Sequence, residues 1–313
     1  MSPDPILTVR SVNISEKKGT IKTPVGKIIL NSQGVEGDAH AGPWNRQVSL
    51  LGTESIERTE KEAGRKIRPG EFAENITTTG MSLWEVHPLD RFTAGELVLE
   101  VTQIGKSCHG STCAIFKEVG NCVMPKEGVF CRVVAPGILK PGDRLAYHPK
   151  TYRLRIITLS DRASRGEYED KSGPRIRELT EEFFSTLHLP SSILSTLIPD
   201  DAGLLKDLLV NAIHDQVDIL FTTGGTGIGP RDITPEVIKP LLDKEIPGIM
   251  EMIRVKFGAE HPSALLSRSL AGIAGKTLLY ALPGSVKAIN EYLPEIFKTL
   301  IHSVLMIHAL DMH

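Results

Sequence analysis

The sequence predicts two domains of different class. Residues 1–148 read as a mostly-β unit, barrel-like or a sandwich, and residues 153–313 as an α/β unit with a mainly parallel sheet flanked by helices. Three observations carry this. The first half is rich in Gly, Thr and Val, and its apolar runs are short and bounded by turn residues. The second half alternates strand-like and helix-like segments, the pattern of a parallel sheet covered on both faces. Within it, a glycine-rich loop, Thr222-Thr223-Gly224-Gly225-Thr226-Gly227-Ile228-Gly229-Pro230-Arg231-Asp232, joins an apolar run to a helix start.

In the first half the expected strands are Gly26–Leu30, Gln47–Leu51, Glu96–Thr102, Gly128–Val134 and Arg144–Tyr147, with Thr53–Ala63 as the best helix. Ala135-Pro136-Gly137 and Pro141-Gly142-Asp143 supply turns between the last two strands. A short polar linker, His148–Arg153, follows. In the second half Leu154–Leu159 is a buried strand. Ser172-Gly173-Pro174 opens a helix whose apolar stripe is Ile176, Leu179, Phe183 and Leu187. Ser195–Ile198, Val217–Phe221 and Thr277–Leu282 are further strands, and Ala202–Ile213 is a helix. Thr234 and Pro235 fit the N-cap and first position of a helix, and Ser285 caps a last helix that Pro294 should kink or break.

Composition bounds the function classes. The chain has 313 residues, a net charge of −2 and 24% charged residues, so bulk nucleic-acid or anionic-membrane binding is not expected. No apolar run reaches membrane-spanning length, and Met1–Arg10 lacks the apolar core of a signal peptide. Four cysteines in a chain this long do not make a disulfide framework, and the expected compartment is the cytoplasm.

The chemistry concentrates at the strand ends of the second half. Ser160-Asp161-Arg162 follows the first strand, Pro199-Asp200-Asp201 the second, the glycine loop the third and Pro283-Gly284-Ser285 the last. In a parallel sheet these ends share one edge, where ligands bind. Glycines let the backbone approach a ligand, and free N–H groups hold an anion. The loop is neither a Walker A loop nor the dinucleotide fingerprint. Taken singly, Asp161 and Asp200 read as helix N-caps. Several carboxylates beside an anion cradle call for a cation, which favours Mg²⁺-dependent phosphoryl or nucleotidyl transfer.

Among the cysteines, Cys131 lies in an apolar run and is expected to be buried and inert, whereas Cys108 and Cys113 lie in a polar loop beside Lys106 and His109. Nearby positive charge favours thiolate, which attacks or binds soft metals. No C-x-x-C is present, so the spacing does not support a structural zinc site.

Leu159-Ser160-Asp161-Arg162, Gly166, Asp170, Ser172-Gly173-Pro174, the glycine loop through Glu236, Leu266-Ser267-Arg268 and Leu282-Pro283-Gly284-Ser285 run in order and resemble the molybdopterin adenylyltransferase family of MogA/MoaB type. The resemblance implies adenylation of molybdopterin by Mg-ATP, giving adenylyl-molybdopterin and pyrophosphate. Asp200 and Asp232 would be the essential acids, holding Mg²⁺ or orienting phosphates. Gly224, Gly225, Thr226, Gly227, Ser267 and Arg268 would contact the pterin or nucleotide, with Ser160, Asp161, Pro283, Gly284 and Ser285 in the same site. Family members differ in activity, so a non-catalytic cofactor carrier or a pterin-binding regulator is the alternative. The family also implies a homo-oligomer, a trimer or a multiple of it.

Gly34-Val35-Glu36-Gly37-Asp38-Ala39-His40, Arg46-Gln47-Val48-Ser49-Leu50, Pro69-Gly70-Glu71-Phe72-Ala73-Glu74-Asn75-Ile76 and Gly128-Val129-Phe130 with Pro141-Gly142-Asp143 resemble the MOSC domain, which is similar to the C-terminal part of molybdenum cofactor sulfurases. That implies a barrel-like fold that binds or carries molybdenum cofactor or sulfur through a cysteine, with Cys113 first and Cys108 second. Molybdate-insertion proteins or molybdoenzymes would be partners. The residues do not discriminate molybdenum from tungsten.

Overall fold

A computed structural model describes residues 5–106 and 122–310. They divide into two units, one ending at Lys150 and the other spanning Thr151–Ala309. In the first, β1 (Ile6–Ile14), β2 (Thr23–Val25), β3 (Ile28–Asn31), β4 (Gly34–Val35) and β5 (Val48–Gly52) precede helix α1 (Thr53–Ala63). β6 (Ile76–Thr79), β7 (Arg91–Ala94), β8 (Leu97–Ile104), the short helix α2 (Met124–Glu127), β9 (Val129–Ala135), β10 (Gly137–Leu139) and β11 (Arg144–His148) follow.

Seven strands run in the order β11-β7-β8-β9-β5-β6-β1, and β1 pairs back onto β11, which closes a barrel. Closure leaves these seven strands without an unpaired edge. β5 and β6 are parallel. The barrel is filled by Leu7, Val9, Leu50, Ile76, Phe92, Leu99, Val101 and Leu145, all at most 1% exposed. A second small sheet has the order β10-β3-β4. Helix α1 spans the expected residues, and Ile56 packs with Leu51, Phe72 and Phe130 in a separate cluster. The longest barrel strand, β1, was not expected from the sequence, because Ser11 and Asn13 interrupt its apolar alternation.

The second unit contains β12 (Tyr152–Leu159), α3 (Asp161–Ser164), α4 (Ser172–Thr186), β13 (Ser191–Ile198), α5 (Ala202–His214) and β14 (Ile219–Thr223). It continues with α6 (Thr234–Ile238), β15 (Lys244–Glu245), α7 (Pro247–Gly258), β16 (Leu270–Ala274), β17 (Thr277–Leu282) and α8 (Val286–Ile307). The sheet order is β13-β12-β14-β17-β16-β15. The pairings β12–β13, β12–β14 and β14–β17 are parallel, while β16 and β15 add an antiparallel margin. Register places Leu159 beside Ile198, and Thr223 beside both Thr158 and Leu282. The four loops that carry the chemistry therefore leave from one edge. Side chains alternate across the sheet: Ile157, Leu159, Leu220, Leu279 and Ala281 pack with Leu205, Leu209 and Ile238 of α5 and α6. From the alternate positions Tyr152 meets Phe184 of α4 at 5.2 Å between ring centroids.

Three local expectations are corrected. The buried stripe of α4 is Ile176, Thr180 and Phe184, while Leu187 is 39% exposed. Phe183 instead stacks on Phe297 of α8 at 4.3 Å. Of the kink or break expected at Pro294, the break does not occur, since α8 is continuous from Val286 to Ile307. Pro294 and Asn290, whose carbonyl loses the helical bond, are both exposed, so water can replace that bond, while Ile289, Leu293, Ile296 and Leu300 anchor the helix by burial. Thr234 is the first residue of α6 rather than its N-cap, which is Ile233.

Candidate functional site

The glycine loop is held open from both sides. Thr234 donates its hydroxyl to the Gly224 carbonyl at 2.8 Å, and its N–H bonds the Gly225 carbonyl at 3.0 Å. A cap role was given up for a brace across the loop. Gly224 has φ +101°, and a Cβ there would sit 2.3 Å from the Leu159 carbonyl oxygen. A Cβ on Gly284 would come within 3.3 Å of Gly224 Cα. The loops after β12, β14 and β17 thus approach backbone to backbone, so that position 224 admits only glycine and position 284 leaves little room for a Cβ. Thr223 Oγ1 adds a 2.9 Å bond to the Pro283 carbonyl.

Arg268 frames the far side of the same loop. Its Nε donates to the Gly227 carbonyl at 2.6 Å, one Nη to the Asp232 carbonyl at 2.7 Å and the other to Glu236. Its guanidinium is thereby engaged with protein groups on every nitrogen. The Arg268 ion pair holds the Glu236 carboxyl below the usual range. Ser267 shares a 2.7 Å hydroxyl contact with Ser269. Asp232 closes the tip, its Oδ2 accepting the Gly229 N–H at 2.8 Å.

Across the edge, Asp161 and Asp200 exchange bonds. Asp161 N–H donates to Asp200 Oδ2 at 3.1 Å, and Asp200 N–H donates to Asp161 Oδ1 at 3.0 Å. Neither is an N-cap: Ser160 caps α3 and Asp201 caps α5. Arg231 reaches from the glycine loop to the second oxygen of Asp161 and lies 3.5 Å from the Asp200 carbonyl. Asp161, Asp200 and Arg231 are therefore joined at one edge, with Asp232 next to Arg231 in the chain. Nearby, Ser160, Tyr168, Asp170, Lys171, Ser172 and Gly284 line a pocket. Asp170 builds one wall by accepting the N–H groups of Ser172 and Gly173 in the first turn of α4 at 2.9 and 3.2 Å, while the N-cap position itself is Lys171. Ser285 caps α8 through the Ala288 N–H at 3.2 Å. Tyr168, Lys171 and Arg231 were not assigned from the sequence; position at the β-strand edge was the available signal.

No cluster of three or more His, Cys, Asp or Glu side chains able to hold a metal occurs among the described residues. Asp200 Oδ1 and Asp232 Oδ1 nevertheless accept no hydrogen bond within the described residues. Two open carboxylate oxygens fit Mg²⁺, which takes one or two carboxylates plus phosphate oxygens rather than an all-protein cage.

In the first unit Cys108, Cys113 and His109 lie outside the described residues. Cys131 is fully buried and burial pushes its thiol up, so it is inert at neutral pH. The residues that carried the second resemblance mostly tie the barrel together. Gln47 donates to the Ser32 and Gly42 carbonyls and accepts the Val133 N–H. Asn75 Oδ1 accepts the Ser49 N–H and hydroxyl. Asp38 forms a fully buried ion pair with Lys22, Nζ to Oδ2 at 2.5 Å, and also accepts the Ser15 and His40 N–H groups. Burial alone would raise the Asp38 carboxyl, but hydrogen bonds from His40 and Lys22 outweigh it and hold the group far below the usual range. Glu74 is buried and pushed up, against the Gly70 N–H and Thr77 hydroxyl that it accepts. Lys22 was not singled out from the sequence and Glu74 only as part of the MOSC motif, because nothing in their sequence neighbourhood marks them as buried.

Comparison with known proteins accords with both halves. Residues 155–303 match the model of a probable molybdopterin binding domain and residues 37–146 that of the MOSC domain. A molybdopterin adenylyltransferase of Helicobacter pylori is 37% identical over 156 residues, covering 50% of this chain and 87% of the relative. One of Pyrococcus furiosus is 41% identical over 162 residues, covering 50% and 91%. A solved structure of MogA is 35% identical, covers 50% of this chain and 99% of its own, and superposes with a TM-score of 0.46. No helix among the described residues is long and apolar enough to cross a membrane. Through its second half the chain belongs to the molybdopterin adenylyltransferase family of MogA/MoaB type, a family of molybdenum-cofactor biosynthesis, and it carries a MOSC domain ahead of that half.

Proposed function

We propose that residues 153–313 adenylate molybdopterin with Mg-ATP. The observation that carries this is the joining of Asp161, Asp200 and the glycine loop with Asp232 at one sheet edge, with two carboxylate oxygens left open. In the reaction a phosphate oxygen of molybdopterin attacks the α-phosphorus of ATP. The bond to the β-phosphate breaks, and pyrophosphate leaves. Asp200 and Asp232 would hold Mg²⁺ through Oδ1, and when bound the ion offsets charge on the triphosphate and the leaving group. The chain's own groups align the reactants. The Gly224–Gly227 backbone admits a phosphate at close range, and the Arg268 and Thr234 braces keep that cradle preorganised. Ser160, Lys171 and Gly284 line the pocket beside it for the remainder of the ligands.

For the first unit we propose binding or carriage of molybdenum cofactor or sulfur through Cys113, with Cys108 second. The Asp38, Gln47 and Asn75 bonds support this only as the frame of the MOSC fold. The assembly proposed is a trimer or a multiple of it. Pyrophosphate release from Mg-ATP with purified molybdopterin tests the main reading. Wild type should release it, and Asp232→Asn should lower the rate at least 100-fold with folding intact. Molybdopterin binding by a folded wild type that releases none would point instead to a carrier.

A further inference from the structure

The two arginines at the glycine loop are used differently. Arg268 spends Nε and both Nη groups on the Gly227 carbonyl, the Asp232 carbonyl and Glu236, so it is a strut. Arg231 uses only one Nη, which meets Asp161 and lies 3.5 Å from the Asp200 carbonyl. Its Nε and other Nη make no hydrogen bond within the described residues, and its side chain is 66% exposed. It is a cation with spare donors, held on Asp161 and 3.5 Å from the Asp200 backbone carbonyl. Asp161 is committed on both oxygens, one to the Asp200 N–H and one to Arg231. It supplies the contacts that hold these two groups together.

We propose that Arg231 is a phosphate-binding residue that rests on Asp161 in the ligand-free site and passes its guanidinium to a substrate phosphate, with Asp161 as the resting partner that the phosphate displaces. This rests on the reading of the site as one for polyphosphate. An exposed carboxylate pair contributes little and is readily exchanged. A phosphate offers more charge and accepts from two guanidinium nitrogens at once, so it displaces Asp161. Asp161, carried from the family resemblance as a ligand contact, is here the resting partner of Arg231.

Calorimetric titration of the full chain with Mg²⁺ and inorganic pyrophosphate, ATP or molybdopterin tests the assignment. Arg231→Ala should weaken pyrophosphate and ATP at least 10-fold, and Arg231→Lys should lose less. Asp161→Asn keeps an oxygen for the Asp200 N–H while releasing Arg231, so it should bind pyrophosphate as tightly as wild type or more so. A merely structural pair would make Asp161→Asn and Arg231→Ala fall together. A loss confined to molybdopterin in Arg231→Ala would assign Arg231 to the pterin phosphate. Unchanged binding of all three ligands by a folded Arg231→Ala, or equal losses in both variants, overturns the inference while leaving adenylyl transfer standing. Wild type that binds no phosphate ligand and releases no pyrophosphate overturns both.

Discussion

In the first unit buried charge is spent on architecture, while in the second exposed charge gathers at the edge where the parallel strands end. Lys22 and Asp38 are both fully buried. Removing one partner strands the other, so Lys22→Met or Asp38→Asn should cost about 3–5 kcal/mol in urea unfolding. The pH dependence has a definite sign. Asp38 is depressed in the fold, so its contribution is complete above about pH 3.9, the unfolded value. It is lost as pH falls toward the folded value. Glu100, where the bonds from Arg91 and Arg132 outweigh the upward push of burial, acts in the same direction. Glu74 is raised and opposes both, adding stability as pH falls toward the unfolded value. The acid limb of an unfolding curve should therefore be shallower in Asp38→Asn than in wild type. An identical slope would show that the pair is not ionised in the fold.

At the scale of elements, the legible parts were those whose signal is local. Thr53–Ala63 and Thr277–Leu282 appear with the expected bounds because helical spacing and an unbroken apolar run state them directly. The cap at Ser285 was equally local. What was not legible depends on neighbours across the fold. Thr234 serves as a brace because Gly224 comes within reach of its hydroxyl. The α4 stripe rotates onto Thr180 and Phe184 because Phe183 has Phe297 to stack on. Arg231 gave no sequence signal that it would meet Asp161, 70 residues away. The glycine loop is the element most exposed to a single change. Gly224→Ala puts a Cβ on a positive φ and against the Leu159 carbonyl, and should cost on the order of 3 kcal/mol. Gly248→Ala meets nothing within 4 Å in α7 and should gain roughly 0.5–1 kcal/mol. Equal thermal shifts for the two would contradict the close approach assigned to Gly224.

At the scale of the whole molecule, each unit has its own buried core. Residues 151–313 made alone should fold cooperatively and keep pyrophosphate release within a few-fold of the full chain. Cys113→Ser in the full chain should leave that activity unchanged. Loss of turnover in either would mean that the adenylyl-transfer site draws on the first unit. The central claim is transfer of an adenylyl group, which hydrolysis of ATP would imitate in a pyrophosphate assay. The direct measurement is incubation of the chain with molybdopterin and ATP labelled in the α-phosphate. Label in a pterin product, absent with Asp232→Asn and absent when the label is in the γ-phosphate, is the predicted result. Label found only in free AMP, with molybdopterin unmodified, would contradict it.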